Sequence, residues 1–130
     1  MTYFAFGLPD EPGELARFAQ QLRDAGISLV ALWGDTTGDG PESRLACVPE
    51  SAAAFRVFMQ TAEFTMEEGQ TFYCTAEDRP GALIEALSRI AVAGINIDTI
   101  ESVAVGKEFG CFVWAAEDAW PKLAEILSVS

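Results

Sequence analysis

Two short stretches hold the residues best suited to meet a ligand. Asp10-Glu11-Pro12-Gly13-Glu14-Leu15 and Asp78-Arg79-Pro80-Gly81-Ala82-Leu83 each set an acid, a proline and a glycine ahead of an apolar pattern of helical period. Proline fits a first helical turn, where no N–H is needed, and Asp10 can accept a bond from an amide just beyond it. The amides of Gly13-Glu14 and Gly81-Ala82 would then face outward with the partial positive charge of a helix N-terminus, which suits a carboxylate. Glycine lets such a group approach the main chain closely. Asp10 or Asp78, with Asn96 at the start of a following strand, can hold an ammonium group. Together these complement an α-amino acid. A helix cap followed by a glycine stop accounts for the same Asp, Pro and Gly without any ligand.

Most other chemistries are excluded by composition. The chain has no histidine, which removes the commonest general base and the commonest metal ligand. Cys47, Cys74 and Cys111 are odd in number and far apart, so neither a disulfide framework nor a CxxC site is indicated. Each lies in an apolar, strand-like run, where a free cysteine is usually a small buried hydrophobe. No catalytic residue, metal site or cofactor is expected. Eight basic residues against twenty acidic ones give a net charge of −12, which repels nucleic-acid phosphates and anionic membranes. Tyr3, Phe72, Phe109 and Phe112 fall where an RNA-recognition sheet carries aromatics, but packing explains them better in so acidic a chain. No apolar run approaches the ~18 residues of a membrane span, and the start lacks a signal peptide's basic and apolar regions. The expected setting is cytoplasmic.

The elements that must position these residues are written twice. Residues 10, 13 and 26 have counterparts at 78, 81 and 94, a constant spacing of 68 positions. In the first copy, strand patterns over 3–8, 27–33 and 44–48 surround a helix with Leu15, Phe18, Ala19 and Leu22 on one side, ending at Gly26. A turn-rich loop spans 34–41. A second helix, starting at Pro49-Glu50-Ser51, presents Phe55, Phe58 and Met59, and a short strand covers 63–68. In the second copy the strands are 70–76, 95–105 and 109–116, with a turn at 106–108. Its helices carry Leu83, Ala86, Leu87 and Ile90, then Leu123, Ile126 and Leu127, and its last strand is short or missing.

This order predicts an α+β protein: two ferredoxin-like βαββαβ units in tandem, residues 1–69 and 70–130, each an antiparallel sheet with helices on one face. Tyr3, Tyr73, Phe112 and Trp114 alternate toward the other face. That face, and the edge left by the missing strand, predict pairing between units and between two chains.

The repeated motif resembles the signature of ACT domains. Asp78-Arg79-Pro80-Gly81-Ala82-Leu83, followed by Ala93-Gly94-Ile95-Asn96-Ile97, is similar to that family's loop, helix end and second strand. Asp10-Glu11-Pro12-Gly13-Glu14-Leu15, followed by Gly26-Ile27-Ser28-Leu29, looks like a second copy. The resemblance implies a stand-alone regulatory protein that binds an amino acid where modules meet, between the loop of one and the early second strand of the other. It implies ligand contacts at Asp78, Gly81, Ala82, Leu83, Asn96 and Ile97, and at Asp10, Gly13, Glu14, Leu15, Ser28 and Leu29. Ser28 stands where the second copy has Asn96, and the charge of Glu14 would oppose a carboxylate, so the two sites should be unequal. The expected protein is therefore a non-enzymatic homodimeric sensor. The alternative is a ligand-free interaction or dimerisation module that docks a metabolic enzyme.

Overall fold

The computed structural model describes residues 1–35 and 41–128, so most of the expected 34–41 loop lies outside the described residues. The elements run β1 (Thr2–Pro9), α1 (Glu14–Asp24), β2 (Leu29–Asp35), β3 (Glu42–Pro49), α2 (Ala52–Thr61) and β4 (Met66–Gln70). They continue as β5 (Phe72–Glu77), α3 (Ala82–Val92), β6 (Ile97–Val105), β7 (Glu108–Ala115) and α4 (Trp120–Ser128), the last entered through a 3₁₀ turn, Glu117–Ala119. The chain divides into two compact units, Thr2–Gly69 and Gln70–Ser130 together with Met1.

In the first unit the sheet order is β2-β3-β1-β4, with β3 antiparallel to both β1 and β2. Alternation along β1 sends Phe4, Phe6 and Leu8 to one face, where Leu45 and Cys47 of β3 join them. Phe18 and Leu22 of α1 and Phe55 and Met59 of α2 close that core. Its rings are tightly grouped: Phe4 lies 4.8 Å from Phe55, and Phe6 lies 4.9 Å from Phe18. Ser51 caps α2, its hydroxyl accepting from the Ala54 amide at 3.2 Å. The helical stripe read from sequence is wider than the buried face, because Leu15 and Ala19 stay exposed while Phe18 and Leu22 are buried.

In the second unit the order is β5-β7-β6, a three-stranded antiparallel sheet among the described residues. Cys74, Phe109, Cys111 and Val113 of the sheet pack on Ala86 and Ile90 of α3 and on Leu123 and Leu127 of α4. Tyr73 and Phe112, paired across β5 and β7, stack at 4.5 Å, and Trp114 continues the row. Buried Thr71 donates its hydroxyl to the Val113 carbonyl at 3.2 Å and exchanges two main-chain bonds with Met1.

Each second strand begins two residues later than the sequence suggested. The Ile27 amide donates to the Leu22 carbonyl and the Gly26 amide to that of Arg23. Ile95 and Gly94 do the same with Ile90 and Ala91. These are six-to-one and five-to-two closures of a helix C-terminus, around a glycine of positive φ. Ile27 and Ile95 serve as the apolar seal of that closure, so pairing starts only at Leu29 and Ile97.

Candidate functional site

The Asp-x-Pro-Gly stretches form type II turns rather than first turns of helix. The Glu14 amide donates to the Glu11 carbonyl at 3.3 Å and that of Ala82 to Arg79 at 3.1 Å. Proline occupies the second turn position, and Gly13 (φ 89°) and Gly81 (φ 90°) the third, which demands a positive φ. The glycine is thereby also the residue before the helix, and neither helix has a side-chain cap.

Two sequence expectations are corrected by this geometry. Asp10 does not cap α1: its carboxylate accepts from the Ser43 hydroxyl at 2.8 Å, and its amide donates to the Pro41 carbonyl. The amides of Glu14 and Ala82 are used within the turns and do not face a ligand. The amides without a helical acceptor are the next ones, of Leu15 and Ala16 and of Leu83 and Ile84, because intrahelical bonding starts only with Arg17 to Gly13 and Glu85 to Gly81.

The twelve expected contact residues fall into two groups per unit. In the second unit, the turn at 78–83 adjoins the β6–β7 hairpin, where the Asp78 amide donates to the Lys107 carbonyl at 2.8 Å. Asn96 and Ile97 lie at the far end, Ile97 in the terminal pair with Ala115 and Asn96 just before it. The seven residue steps from Glu108 to Ala115 put about 23 Å between those ends, and α3 spans about 16 Å of it. In the first unit, Asp10, Gly13, Glu14 and Leu15 are likewise separated from Ser28 and Leu29 by the length of the sheet, since Pro9 pairs with Glu42 and Leu29 with Pro49. No single unit brings its own two groups together.

Several of these residues serve the core. Ala82 is 6% exposed, and Leu83, Ile97 and Leu29 pack against the hydrophobic clusters. Gly13, Gly81, Leu15, Asp10, Asp78, Ser28 and Asn96 are exposed. Glu14 is held 3.9 Å from Arg17, which offsets part of the charge that would repel an anion. Arg79 is bonded at 2.6 Å to Glu85, one helical turn into α3.

Two clefts accompany the two ends. Ser28 and Leu29 line one of about 380 Å³ with Arg23, Gly26 and Ile27. Ala82 lines another of about 660 Å³ with Cys74, Glu85, Ser88, Arg89 and Phe109. Arg23 and Arg89 bring cations that sequence reasoning missed. Each sits on the polar side of an amphipathic helix, where an exposed arginine carries no distinguishing signal. Among the described residues no cluster of His, Cys, Asp or Glu is arranged to hold a metal ion, and no helix is long and apolar enough to cross a membrane.

No protein-family profile and no curated protein sequence matches the chain. Solved structures do. A Bacteroides thetaiotaomicron protein superposes with a TM-score of 0.83 at 17% identity, over 98% of this chain and 86% of that one. The regulatory subunit of aspartate kinase from Thermus thermophilus, in a ligand-free form, gives 0.65 at 17% identity, over 96% and 89%. The corresponding subunit from Thermus flavus gives 0.58 at 15% identity, over 98% and 90%. At these identities the likeness is one of fold.

Proposed function

We propose that this chain, which folds as two ACT-type βαββαβ units in tandem, is a sensor of a small α-amino acid or similar carboxylate, with no catalytic step of its own. The observation that carries the proposal is the repeated type II turn. In both units it ends in a glycine of positive φ, leaves the helix without a side-chain cap, and frees two successive amides at its N-terminus. Such a pair suits a carboxylate. A zwitterion is net neutral, so the charge of −12 does not oppose its approach as it would an anion's.

The carboxylate would sit on the Leu15–Ala16 or Leu83–Ile84 amides of one unit. Asn96, or Ser28 in its weaker copy, would meet the ligand from another unit, because a unit's own two ends lie about 23 Å apart. The partner unit belongs to this chain or to a second copy in a homodimer. Occupancy would then favour one arrangement of units, as in a regulatory subunit, the role named for the aspartate kinase structures of the same fold. The acting protein would be a cytoplasmic enzyme partner.

A ligand bound only by the folded state at a hundredfold excess over its Kd adds about 2.7 kcal/mol of stability, roughly 10 °C in Tm for a chain of this size. A thermal-denaturation screen of the twenty amino acids at millimolar concentration is expected to find at least one that raises the midpoint by several degrees. If none moves it, the amino-acid reading fails.

One observation favours a second reading, a ligand-free docking module. β6 is an outer strand among the described residues, and it is exposed along nearly its whole length, with Val103 62% and Val105 73% exposed. An apolar outer strand of this kind pairs readily with another chain. Under this reading the assembly forms fully without ligand, and no amino acid shifts the midpoint.

A further inference from the structure

Cys74 and Cys111 are 37 positions apart in sequence and directly opposed across β5 and β7. Both point into the core of the second unit. Opposed residues of an antiparallel pair hold their Cα atoms about 4.5–5.5 Å apart, within the ~4.4–6.8 Å that a disulfide spans. The Cys111 thiol donates to the Phe112 carbonyl at 4.0 Å.

The surroundings of the two thiols differ. Cys74, on the outer strand β5, lines the 660 Å³ cleft beside Ser88 and Arg89. The neighbouring Cys111 thiol, and after it the Arg89 guanidinium, hold the Cys74 thiol below its usual range against the opposing effect of burial. Cys111 is 1% exposed, and the neighbouring Cys74 thiol and its own burial push its thiol upward. Cys47, fully buried in the other unit, is pushed up to about 12 by burial. Cys74 is itself only 6% exposed, and the cleft it lines is its route to an oxidant; a thiol with anionic character at such a wall is the reactive kind, and one without access is inert.

We propose that Cys74 and Cys111 form a redox-active dithiol, with Cys74 as the attacking sulfur and a low-molecular-weight disulfide as the oxidant. The Cys74 thiolate attacks one sulfur of the oxidant, whose S–S bond breaks and releases one thiolate. Cys111 then gives its proton to a released thiolate and attacks the Cys74 sulfur, expelling the second thiolate, which takes up a proton from water. The protein loses two electrons and two protons, and the oxidant leaves as two thiols. The new bond ties the outer strand to the central one at the wall of the cleft. Where glutathione keeps thiols reduced, such a bond is transient and serves sensing rather than architecture. The proposal stands apart from the ligand reading.

The test treats the folded full-length chain with excess oxidised glutathione, quenches in acid, unfolds it, alkylates free thiols and maps the peptides. Before alkylation the expected product is two hydrogens lighter than the reduced chain; after it, the peptides carry a Cys74–Cys111 link that dithiothreitol reverts and an alkylated Cys47. The Cys111→Ser variant is expected to stop as a glutathione adduct on Cys74, and Cys74→Ser to leave Cys111 free. Three alkylated cysteines in the wild-type chain would overturn the proposal, as would links between chains or an adduct at Cys74 that Cys111 never resolves. The wild-type map decides the matter even if a serine variant does not fold.

Discussion

Replacing Phe55 by alanine is expected to remove about 3–5 kcal/mol of folding stability. Phe55 is completely buried on α2, with its ring 4.8 Å from Phe4 and 6.3 Å from both Phe6 and Phe58. Deleting it opens a void between helix and sheet that the neighbouring rings, each already held by others, cannot fill. The loss is a large part of the roughly 5–15 kcal/mol typical of a whole domain. A urea titration followed by circular dichroism checks it. A change below about 1 kcal/mol would mean that the cluster repacks, contrary to the close packing of interiors.

Replacing Gly81 by valine is expected to abolish the stabilisation by the amino acid found in the screen while leaving a folded chain. The space beside the Gly81 Cα is open, with no atom within 4 Å of where a Cβ would stand. The cost of the substitution is the left-handed backbone at φ 90°, about 1–2 kcal/mol for an L-residue. The added methyl groups stand where a carboxylate must reach the Leu83 and Ile84 amides. The readout is the ligand-induced rise in midpoint, taken against the variant's own baseline. A rise as large as that of the unmodified chain would place the ligand elsewhere. Equal loss from Gly13→Val would show that both turns take part.

The two valine variants bear on a motif whose type was plain in the sequence and whose mechanics were not. Asp, Pro and Gly ahead of an apolar pattern marked a helix start at Pro12, whereas α1 begins two residues later at Glu14. The same residues also encode a type II turn, and only the Glu14–Glu11 and Ala82–Arg79 bonds decide which pattern operates. That choice moved the available pair of amides two residues onward, from Gly13–Glu14 to Leu15–Ala16 and from Gly81–Ala82 to Leu83–Ile84, and left Asp10 to Ser43. The alternation Phe4-Phe6-Leu8 and the 68-residue repeat carried the fold, because a buried sheet face and a repeated unit both leave periodic traces.

What escaped was the information held in register and distance. Asn96 and Asp78 were grouped by their chemistry as holders of one ammonium group, yet α3 carries the chain to the opposite end of the sheet before Asn96 is reached. Cys74 and Cys111 read as separate buried hydrophobes, since nothing local in either strand specifies the pairing that opposes them. Ala82 and Leu83 entered the site as motif members and turned out to contribute to the core.

The central claim is that one ligand joins the turn end of one unit to the early-second-strand end of another. Titrating the ¹⁵N-labelled chain with the amino acid selected by thermal denaturation, and following backbone amide resonances, tests it most directly. The account predicts that the Leu83 and Ile84 amides, or those of Leu15 and Ala16, move together with those of Asn96 and Ile97 or Ser28 and Leu29, along a single saturating curve. Shifts confined to one end, or two ends that saturate at different concentrations, would contradict it.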